Sequence, residues 1–262
     1  HEVPSPIAAG IDFLMNKHRI AVIHGRAALL GGNRVAVTGE TEQVIEARDI
    51  ILATGAHPAT LPGIARGVAA ACRAFGTRVI GGNVTSTGGP LVIGITALGE
   101  GRPDGAGCFR RCDARPGDAI LVAGPLGSGA LGLALLRDHP GRARAFPGLA
   151  RAYRRPVPRL DAAAMIARTG ARAAVIDVSD GLLADLGHVL DASSAGAVVD
   201  VDRLPIERPA LRFAALAGLD AITAALTGGD DYALIACVDP AAAALLRAAG
   251  FADIGRVTGA RG

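Results

Sequence analysis

Short apolar runs alternate with amphipathic segments along most of the chain, and glycine-rich turns separate them. The runs at 119–124 and 173–178 are short and bounded by polar or glycine residues, which predicts buried strands. Apolar residues recur at helical spacing in 159–169, 181–194 and 240–250, which predicts helices packed on a sheet. Strands and helices alternate without a repeating unit, so the pattern predicts an α+β, mixed α/β fold.

Residues 10–100 and residues 141–159 have other patterns of apolar and polar positions. Residues 10–64 alternate short β-like runs with turns, and residues 65–77 have the pattern of a helix. Strands are predicted at 78–85 and 89–100, where apolar runs meet glycine turns. Residues 141–159 are rich in Arg and Pro, which predicts a surface connection.

One strand ends in a group of polar residues. The apolar run at 173–178 contains Asp177 and leads directly into Ser179 and Asp180. The strand period of two puts Asp177 and Ser179 on one face, while Asp180 falls at the start of the next helix. An ordinary helix N-cap would account for Ser179 or Asp180. It does not account for Asp177, because a carboxylate at the end of an apolar strand is more often a ligand or a charge partner, and Mg²⁺ with phosphate is the simplest candidate for what it binds.

A second acidic pair follows two glycines. Asp230 and Asp231 are adjacent like charges, which repel each other unless a metal or a cationic ligand lies nearby. A solvated turn would tolerate them equally well. Asn83, which follows the pair Gly81 and Gly82, is a weaker signal of the same kind, because backbone N–H groups in such turns bind phosphate oxygens.

Other patterns have simpler explanations. Residues 127–132 read GSGALG after a strand, which is the spacing of a dinucleotide-binding loop, but no acidic strand end follows about 20 residues later. We therefore interpret these glycines as a tight turn between a strand and a helix. Asp185 and His188 have the spacing of an ordinary exposed helix face. Lys17 is the only lysine of the chain, and the chain has no P-loop.

Composition narrows the classes of function. The 262 residues include 50% hydrophobic and 3% aromatic residues and carry a net charge of +3. The small charge and the few aromatic residues argue against a nucleic-acid partner. No run approaches the roughly 18 consecutive apolar residues of a membrane helix, and the first residues lack the pattern of a signal peptide. We therefore expect no membrane partner and a cytoplasmic location, with the four cysteines as reduced structural thiols.

Four linked motifs resemble those of one enzyme family. They are GGNVTSTGGPLVIGITALG from residue 81, RPGDAILVAGPLGSGALGLALL from 115, IDVSDGLLADLGHVLDASSAGAVVDVDRLPI from 176, and GGDDYAL from 228. Over about residues 65–262 the chain resembles thiamine-monophosphate kinases, of the aminoimidazole-ribonucleotide-synthetase-like superfamily. The resemblance implies a two-domain α/β fold and a homodimer that transfers the γ-phosphate of ATP to thiamine monophosphate with Mg²⁺.

The resemblance also implies roles for individual residues as ligands of metal, of ATP or of substrate. The family usually has Asp where this chain has Asn83, so one ligand charge is lost, although an amide oxygen still coordinates Mg²⁺. Metal binding would fall to Asn83, Asp177 and Asp180. The other ligands would be Gly82, Asn83, Arg111 and Ser179 for ATP, and Asp230 for thiamine monophosphate.

The beginning of the chain resembles a different family. GIDFLMNKHRIAVIHGRAALL and EARDIILATGAHPATLPGI, within about residues 10–64, are similar to the interior of dihydrolipoamide dehydrogenase, a flavoprotein disulfide reductase. The Gly-rich FAD loop and the redox cysteine pair of that family are absent, so FAD is not expected. We predict a flavoprotein-like, β-rich fragment at 1–64, a remnant of the kinase N-terminal domain at 65–108 and the kinase-like C-terminal domain at 109–262.

Three hypotheses of function follow. The first is an ATP- and Mg²⁺-dependent thiamine-phosphate kinase, expected to be truncated and weakly active or inactive alone, since acidic N-terminal motifs of the family and part of its homodimer interface are missing. The second is an FAD oxidoreductase fragment, which the missing FAD loop and cysteine pair disfavour. The third is a non-catalytic nucleotide-binding module.

Overall fold

The computed structural model describes residues 25–31, 34–39, 42–46, 61–84, 91–99 and 108–259. The chain divides into two compact units, His1–Glu100 and Gly101–Gly262. Each unit has a sheet of its own, with three strands in the first unit and five in the second among the described residues. Most of the predicted flavoprotein-like segment, including residues 1–24 and 47–60, lies outside the described residues.

The described part of the first unit consists of an antiparallel sheet and a helix. Its elements are β1 (Gly25–Gly31), β2 (Arg34–Gly39), β3 (Gln43–Glu46) and α1 (Leu61–Ala74). The strands pair in the order β1–β2–β3, as the β-like pattern of this region predicted. The predicted strands at 78–85 and 89–100 are wrong where the structure describes them, because residues 78–84 and 91–99 have no strand partner there. An apolar run forms a strand only where a neighbour completes its hydrogen bonds.

In the second unit, five strands alternate with helices, which confirms the predicted mixed α/β fold class. The strands are β4 (Ala119–Ala123), β5 (Ala173–Asp177), β6 (Gly196–Val199), β7 (Leu234–Val238) and β8 (Ala252–Thr258). The helices are α2 (Ser128–Asp138), α3 (Pro147–Arg154), α4 (Leu160–Arg168), α5 (Leu182–Ala192), α6 (Arg208–Ala217), α7 (Ala221–Thr227) and α8 (Pro240–Ala248).

The five strands form one sheet in the order β5–β7–β4–β8–β6, and every neighbouring pair is antiparallel. The strands β4, β5 and β6 therefore run in one direction, and β7 and β8 run in the other. As a result, the carboxyl ends of β4, β5 and β6 lie at the same edge of the sheet as the amino ends of β7 and β8. We call this edge the acidic edge, because Asp177 ends β5 there and the loop with Asp230 and Asp231 leads into β7 there.

Both faces of this sheet are covered by helices. All five residues of the central strand β4 are buried. Alternate residues of β4 belong to different clusters: Ile120 packs in a cluster with Leu186 and Val189 of α5, while Leu121 packs in a cluster with Ile166 of α4 and Leu246 of α8. This alternation is the strand period of two, and it explains why β4 is apolar throughout.

A third cluster contains no strand residue. It joins α2, α3, α6 and α7 through buried side chains that include Leu131, Leu149 and Phe213. The predicted surface connection at 141–159 is therefore wrong in part, because α3 lies within it and buries Leu149 against α2 and α6. Among the described residues no single helix is long and apolar enough to cross a membrane, although α6 and α7 together meet that criterion as a pair bent by 116°.

An ion pair between buried Asp118 and half-buried Arg172 stabilises the sheet at the edge opposite the acidic edge. Asp118, which is 2% exposed, precedes β4, and Arg172 precedes β5. Two guanidinium nitrogens of Arg172 donate to the two Asp118 carboxylate oxygens at 2.8 Å. The Arg115 N–H donates to the same carboxylate at 2.8 Å. Removing one partner of such a pair leaves a buried charge uncompensated, so this pair stabilises the fold without touching the acidic edge.

The helix α2 crosses α3 closely at Gly132. A Cβ atom on Gly132 would clash with the backbone oxygen of Leu149 and lie 2.9 Å from Cβ of Tyr153. This contact explains the last glycine of the GSGALG stretch by helix packing. Gly187, inside α5, is a contrasting case, because a Cβ atom there would meet nothing within 4 Å.

We therefore expect opposite effects from one substitution at two helical glycines. Gly132→Ala should lower the free energy of unfolding by about 1 to 3 kcal/mol, because the backbone of α3 cannot yield without repacking. Gly187→Ala should raise it by about 0.5 to 1 kcal/mol, since alanine loses less conformational entropy in a helix. Urea unfolding of the two variants measures both. Equal effects of the two substitutions would contradict the close crossing of α2 and α3.

Candidate functional site

The two acidic loops are joined by a continuation of the β5–β7 ladder. Beyond the last strand pair, the Val178 N–H donates to the Ala233 carbonyl and the Tyr232 N–H donates to the Val178 carbonyl, both at 2.8 Å. The Asp230 N–H donates to the Ser179 carbonyl at 2.9 Å. The loop after β5 (residues 178–181) and the loop before β7 (residues 228–233) are thus hydrogen-bonded neighbours.

Glycine makes this close approach possible. A Cβ atom on Gly229 would clash with the Ser179 carbonyl oxygen, and one on Gly181 would lie 2.9 Å from the backbone of Thr227. Gly181 also has a φ of 120°, a conformation that other residues rarely adopt. Gly229, directly before Asp230, is therefore required by the contact between the loops, whereas Gly228 lies against Ala224 of α7 and Ala130 of α2.

Three carboxylates at the acidic edge have no cationic partner among the described residues. Asp177, Asp180 and Asp230 are all exposed, and none forms an ion pair there. Their one side-chain hydrogen bond within the described part of the chain is donated by the Tyr232 hydroxyl to Oδ1 of Asp230, at 3.3 Å. Burial and then the charge of Asp230 raise the pKa of Tyr232, and the charges of Asp177 and Asp180 raise this pKa further. All three carboxylates therefore act on the same group, the Tyr232 hydroxyl.

The backbone that carries Asp230 is strained. Asp230 has a φ of 62° and Tyr232 has a φ of 50°, in the left-handed region that non-glycine residues seldom occupy. Each such residue costs on the order of 1 to 3 kcal/mol and persists only where its surroundings hold it. Tyr232 was not identified from the sequence, and neither composition nor spacing would have shown its role beside Asp230.

Asp231 holds the loop that carries Asp230. Its two carboxylate oxygens accept the Gly127 N–H at 2.6 Å and the Gly129 N–H at 2.8 Å, at the start of α2. Burial raises the pKa of Asp231 to about 6, although these N–H groups oppose the shift. The first two glycines of GSGALG therefore bind a carboxylate of the chain itself, and a plain turn does not describe the Asp230–Asp231 pair.

Asp185 holds the other acidic loop. It is 2% exposed, and one of its oxygens, Oδ2, accepts the N–H groups of Ser179, Asp180 and Gly181 at 2.9, 3.0 and 3.2 Å. The predicted exposed helix face is therefore wrong for Asp185, because three backbone donors replace the water that an ionised carboxylate needs. The N-cap alternative for Ser179 or Asp180 is also wrong, since Gly181 is the N-cap of α5 and no side chain caps that helix.

The donor set at the acidic edge fits Mg²⁺. This ion prefers oxygen ligands and one or two carboxylates, with water and phosphate completing an octahedron. Asp177 and Asp180 supply exposed carboxylates at this edge without a competing cation among the described residues. Asp180, Asp185 and His188 also place one ligand atom each within 4.8 Å of one another.

The structure does not bring Arg111 to these carboxylates. Arg111 begins a 3₁₀ turn, Arg111–Asp113, whose first carbonyl accepts the Ser193 hydroxyl at 2.9 Å. Ser193 is the C-cap of α5, whereas Asp180 precedes its first turn. A helix of this length separates Ser193 from Asp180 by about 16 Å. Because Arg111 lies beside Ser193, its predicted contact with ATP gains no support from this placement.

Gly82 and Asn83 belong to the first unit, where they lie in an exposed segment. They line a cavity of about 600 Å³ between α1 and residues 76–84 and 92–98, together with mainly aliphatic side chains. The predicted roles of Gly82 and Asn83 in binding nucleotide and metal stay predictions. All four cysteines are free, in line with the predicted reduced thiols.

Comparison with protein families assigns both units to one family. Residues 115–262 match the C-terminal domain of AIR synthase related proteins, and residues 43–100 match the N-terminal domain. The second match begins inside the segment predicted to be flavoprotein-like. The dihydrolipoamide dehydrogenase resemblance is therefore not supported over residues 43–64, and it stays a prediction for the residues before them.

Individual relatives support the same family assignment. The chain is 31% identical to the thiamine-monophosphate kinase of Rhodopirellula baltica over 98% of its own length and 75% of the relative. It is 37% identical to the thiamine-monophosphate kinase of Caulobacter vibrioides, but spans only 52% of that protein. The structure of AaThiL complexed with AMPPCP and TMP matches 81% of the chain and 67% of the AaThiL chain, with 25% identity and a TM-score of 0.67.

The raised pKa of Asp231 predicts a pH-dependent contribution to stability. The unfolded chain releases this proton near 3.8, whereas the folded chain keeps it up to about pH 6. The stabilisation is therefore complete below about pH 4 and is lost as the pH rises through about 6, by at most about 3 kcal/mol. Asp231→Asn has no such titration. Urea unfolding at several pH values should show the advantage of the wild type over this variant shrinking from pH 4 to 7, and a constant difference would contradict the buried carboxylate.

Proposed function

Because the chain belongs to the thiamine-monophosphate kinase family of AIR synthase related proteins, we propose that it transfers the γ-phosphate of ATP to thiamine monophosphate. The product is thiamine diphosphate. The observation that carries this proposal is the acidic edge, where two hydrogen-bonded loops present Asp177, Asp180 and Asp230 without a cationic partner among the described residues. AaThiL complexed with AMPPCP and TMP supports the choice of both substrates.

The chemistry of the reaction explains why the site is acidic. The acceptor is already a phosphate, so two polyanions must be brought together and aligned, and a strong base is less important than charge neutralisation. Mg²⁺ held by the carboxylates of the acidic edge would supply that neutralisation. Lys17 is the only lysine of the chain, so this chemistry cannot rely on a set of lysines.

Each residue of the loop after β5 has a defined part in the proposal. Asp177 and Asp180 hold Mg²⁺. The backbone of Ser179 is already engaged, since its N–H donates to Asp185 and its carbonyl accepts from Asp230. The Ser179 hydroxyl has no partner among the described residues, and it donates to an ATP phosphate.

The loop before β7 presents the substrate-binding carboxylate. Asp230 faces the thiamine monophosphate, and the Tyr232 hydroxyl orients it through their hydrogen bond. A homodimer and a cytoplasmic location remain predictions from the sequence.

Binding of MgATP tests the metal site. Asp177→Asn should weaken MgATP binding at least about tenfold, because a neutral amide replaces a carboxylate ligand of the metal. Asp191→Asn is the matched control, since Asp191 is also exposed but lies in the last turn of α5, away from the acidic edge. Isothermal titration calorimetry measures both. Equal affinity in Asp177→Asn and the wild type would reject Asp177 as a ligand.

Turnover tests the reaction itself. The chain, supplied with MgATP and thiamine monophosphate, should form thiamine diphosphate and ADP in equal amounts, and Asp177→Asn should reduce the rate more than Asp191→Asn. Chromatographic quantification of both products gives this result. Binding of MgATP without any thiamine diphosphate would instead favour the non-catalytic nucleotide-binding module.

A further inference from the structure

We propose that Asp185 is a positioning residue that fixes the loop after β5 in the shape that metal binding requires. The proposal rests on the proposed function, because it concerns how Asp180 and Ser179 are presented to MgATP. The Asp185 side chain is buried and accepts hydrogen bonds from the backbone of the loop, so it acts through Ser179 and Asp180.

The hydrogen bonds of Asp185 are directed at the loop and not at its own helix. Asp185 is the fourth residue of α5, and a helix-capping side chain normally satisfies the free N–H groups of the first helical turn. Its Oδ2 instead accepts from residues 179, 180 and 181, which all precede the helix. The Asp185 N–H donates back to the Gly181 carbonyl at 2.9 Å, so loop and helix are locked in both directions.

The charge of Asp185 is essential to this arrangement. No arginine, lysine or histidine forms an ion pair with Asp185 among the described residues, so three backbone dipoles supply its compensation. Hydrogen bonds to a charged acceptor are about twice as strong as those to a neutral one. The negative charge therefore draws three successive N–H groups to one point and turns the side chains of Ser179 and Asp180 outward, where they are partly or fully exposed.

The loop before β7 also depends on the position of Ser179. Asp230 donates its N–H to the Ser179 carbonyl, so a shift of Ser179 moves the strained backbone that carries Asp230. Asp185 thus sets the positions of both a metal ligand and a substrate ligand from a single buried oxygen.

Asp185→Asn tests the proposal, because it preserves the volume of the side chain and removes the charge. We expect MgATP affinity, measured by calorimetry on folded protein, to fall roughly 10- to 100-fold, the range typical of residues that orient metal ligands. Asp118→Asn is the matched control, because Asp118 is equally buried and accepts a backbone N–H at the opposite edge of the sheet. It should lower the melting temperature and leave MgATP affinity unchanged.

Unchanged affinity in folded Asp185→Asn would overturn the proposal, and so would an equal loss in Asp118→Asn, which would indicate general destabilisation. If Asp185→Asn does not fold, Asp185→Glu replaces it, because this variant keeps the charge but displaces the oxygen. The same loss of MgATP affinity is then expected. Amide hydrogen exchange by NMR separates this proposal from the proposed function. The amides of Ser179, Asp180 and Gly181 should exchange faster in the variant even if the wild type binds no MgATP, and unchanged exchange would contradict the positioning role.

Discussion

The acidic edge depends on three backbone hydrogen bonds that continue the β5–β7 pairing past the ends of both strands. They join Val178 with Ala233 and Tyr232, and Ser179 with Asp230. Two loops that are about fifty residues apart in sequence are therefore joined at one edge of the sheet, and both carry exposed carboxylates. Left-handed backbone at Asp230 and Tyr232 is held in place because this ladder and the Asp231 contacts fix the residues around it.

The carboxylates of this region divide into two groups by what compensates them. Asp185 and Asp231 are held by backbone N–H groups, so the fold satisfies them without a cation. Asp177, Asp180 and Asp230 stay exposed and unpaired among the described residues. This division separates residues that shape the site from residues that remain free to bind a metal ion and its phosphate ligands.

The sequence predicted the second unit well and the first unit only in part. Apolar runs such as 119–124 are strands because partners exist on both sides, whereas equally apolar residues 91–99 have no such partner among the described residues. The spacing around Asp177 and Asp180 predicted their common edge. It could not predict the role of Asp185, because its i, i+3 spacing with His188 is also that of a solvent-facing helix. The three backbone N–H groups reach the Asp185 carboxylate only when the loop folds back over α5. The short helix α7 was missed, although Asp220 before it accepts the N–H groups of Ile222 and Thr223 as an N-cap.

The most direct test of the acidic edge as a metal and phosphate site is a crystal structure of the chain with Mn²⁺ and a non-hydrolysable ATP analogue, recorded at a wavelength where manganese scatters anomalously. We expect an anomalous peak within ligand distance of the Asp177 and Asp180 carboxylates, with a phosphate oxygen as a further ligand and Asp185 still bound to its three amides. Nucleotide bound elsewhere, with both carboxylates facing water and no anomalous peak beside them, would contradict this assignment.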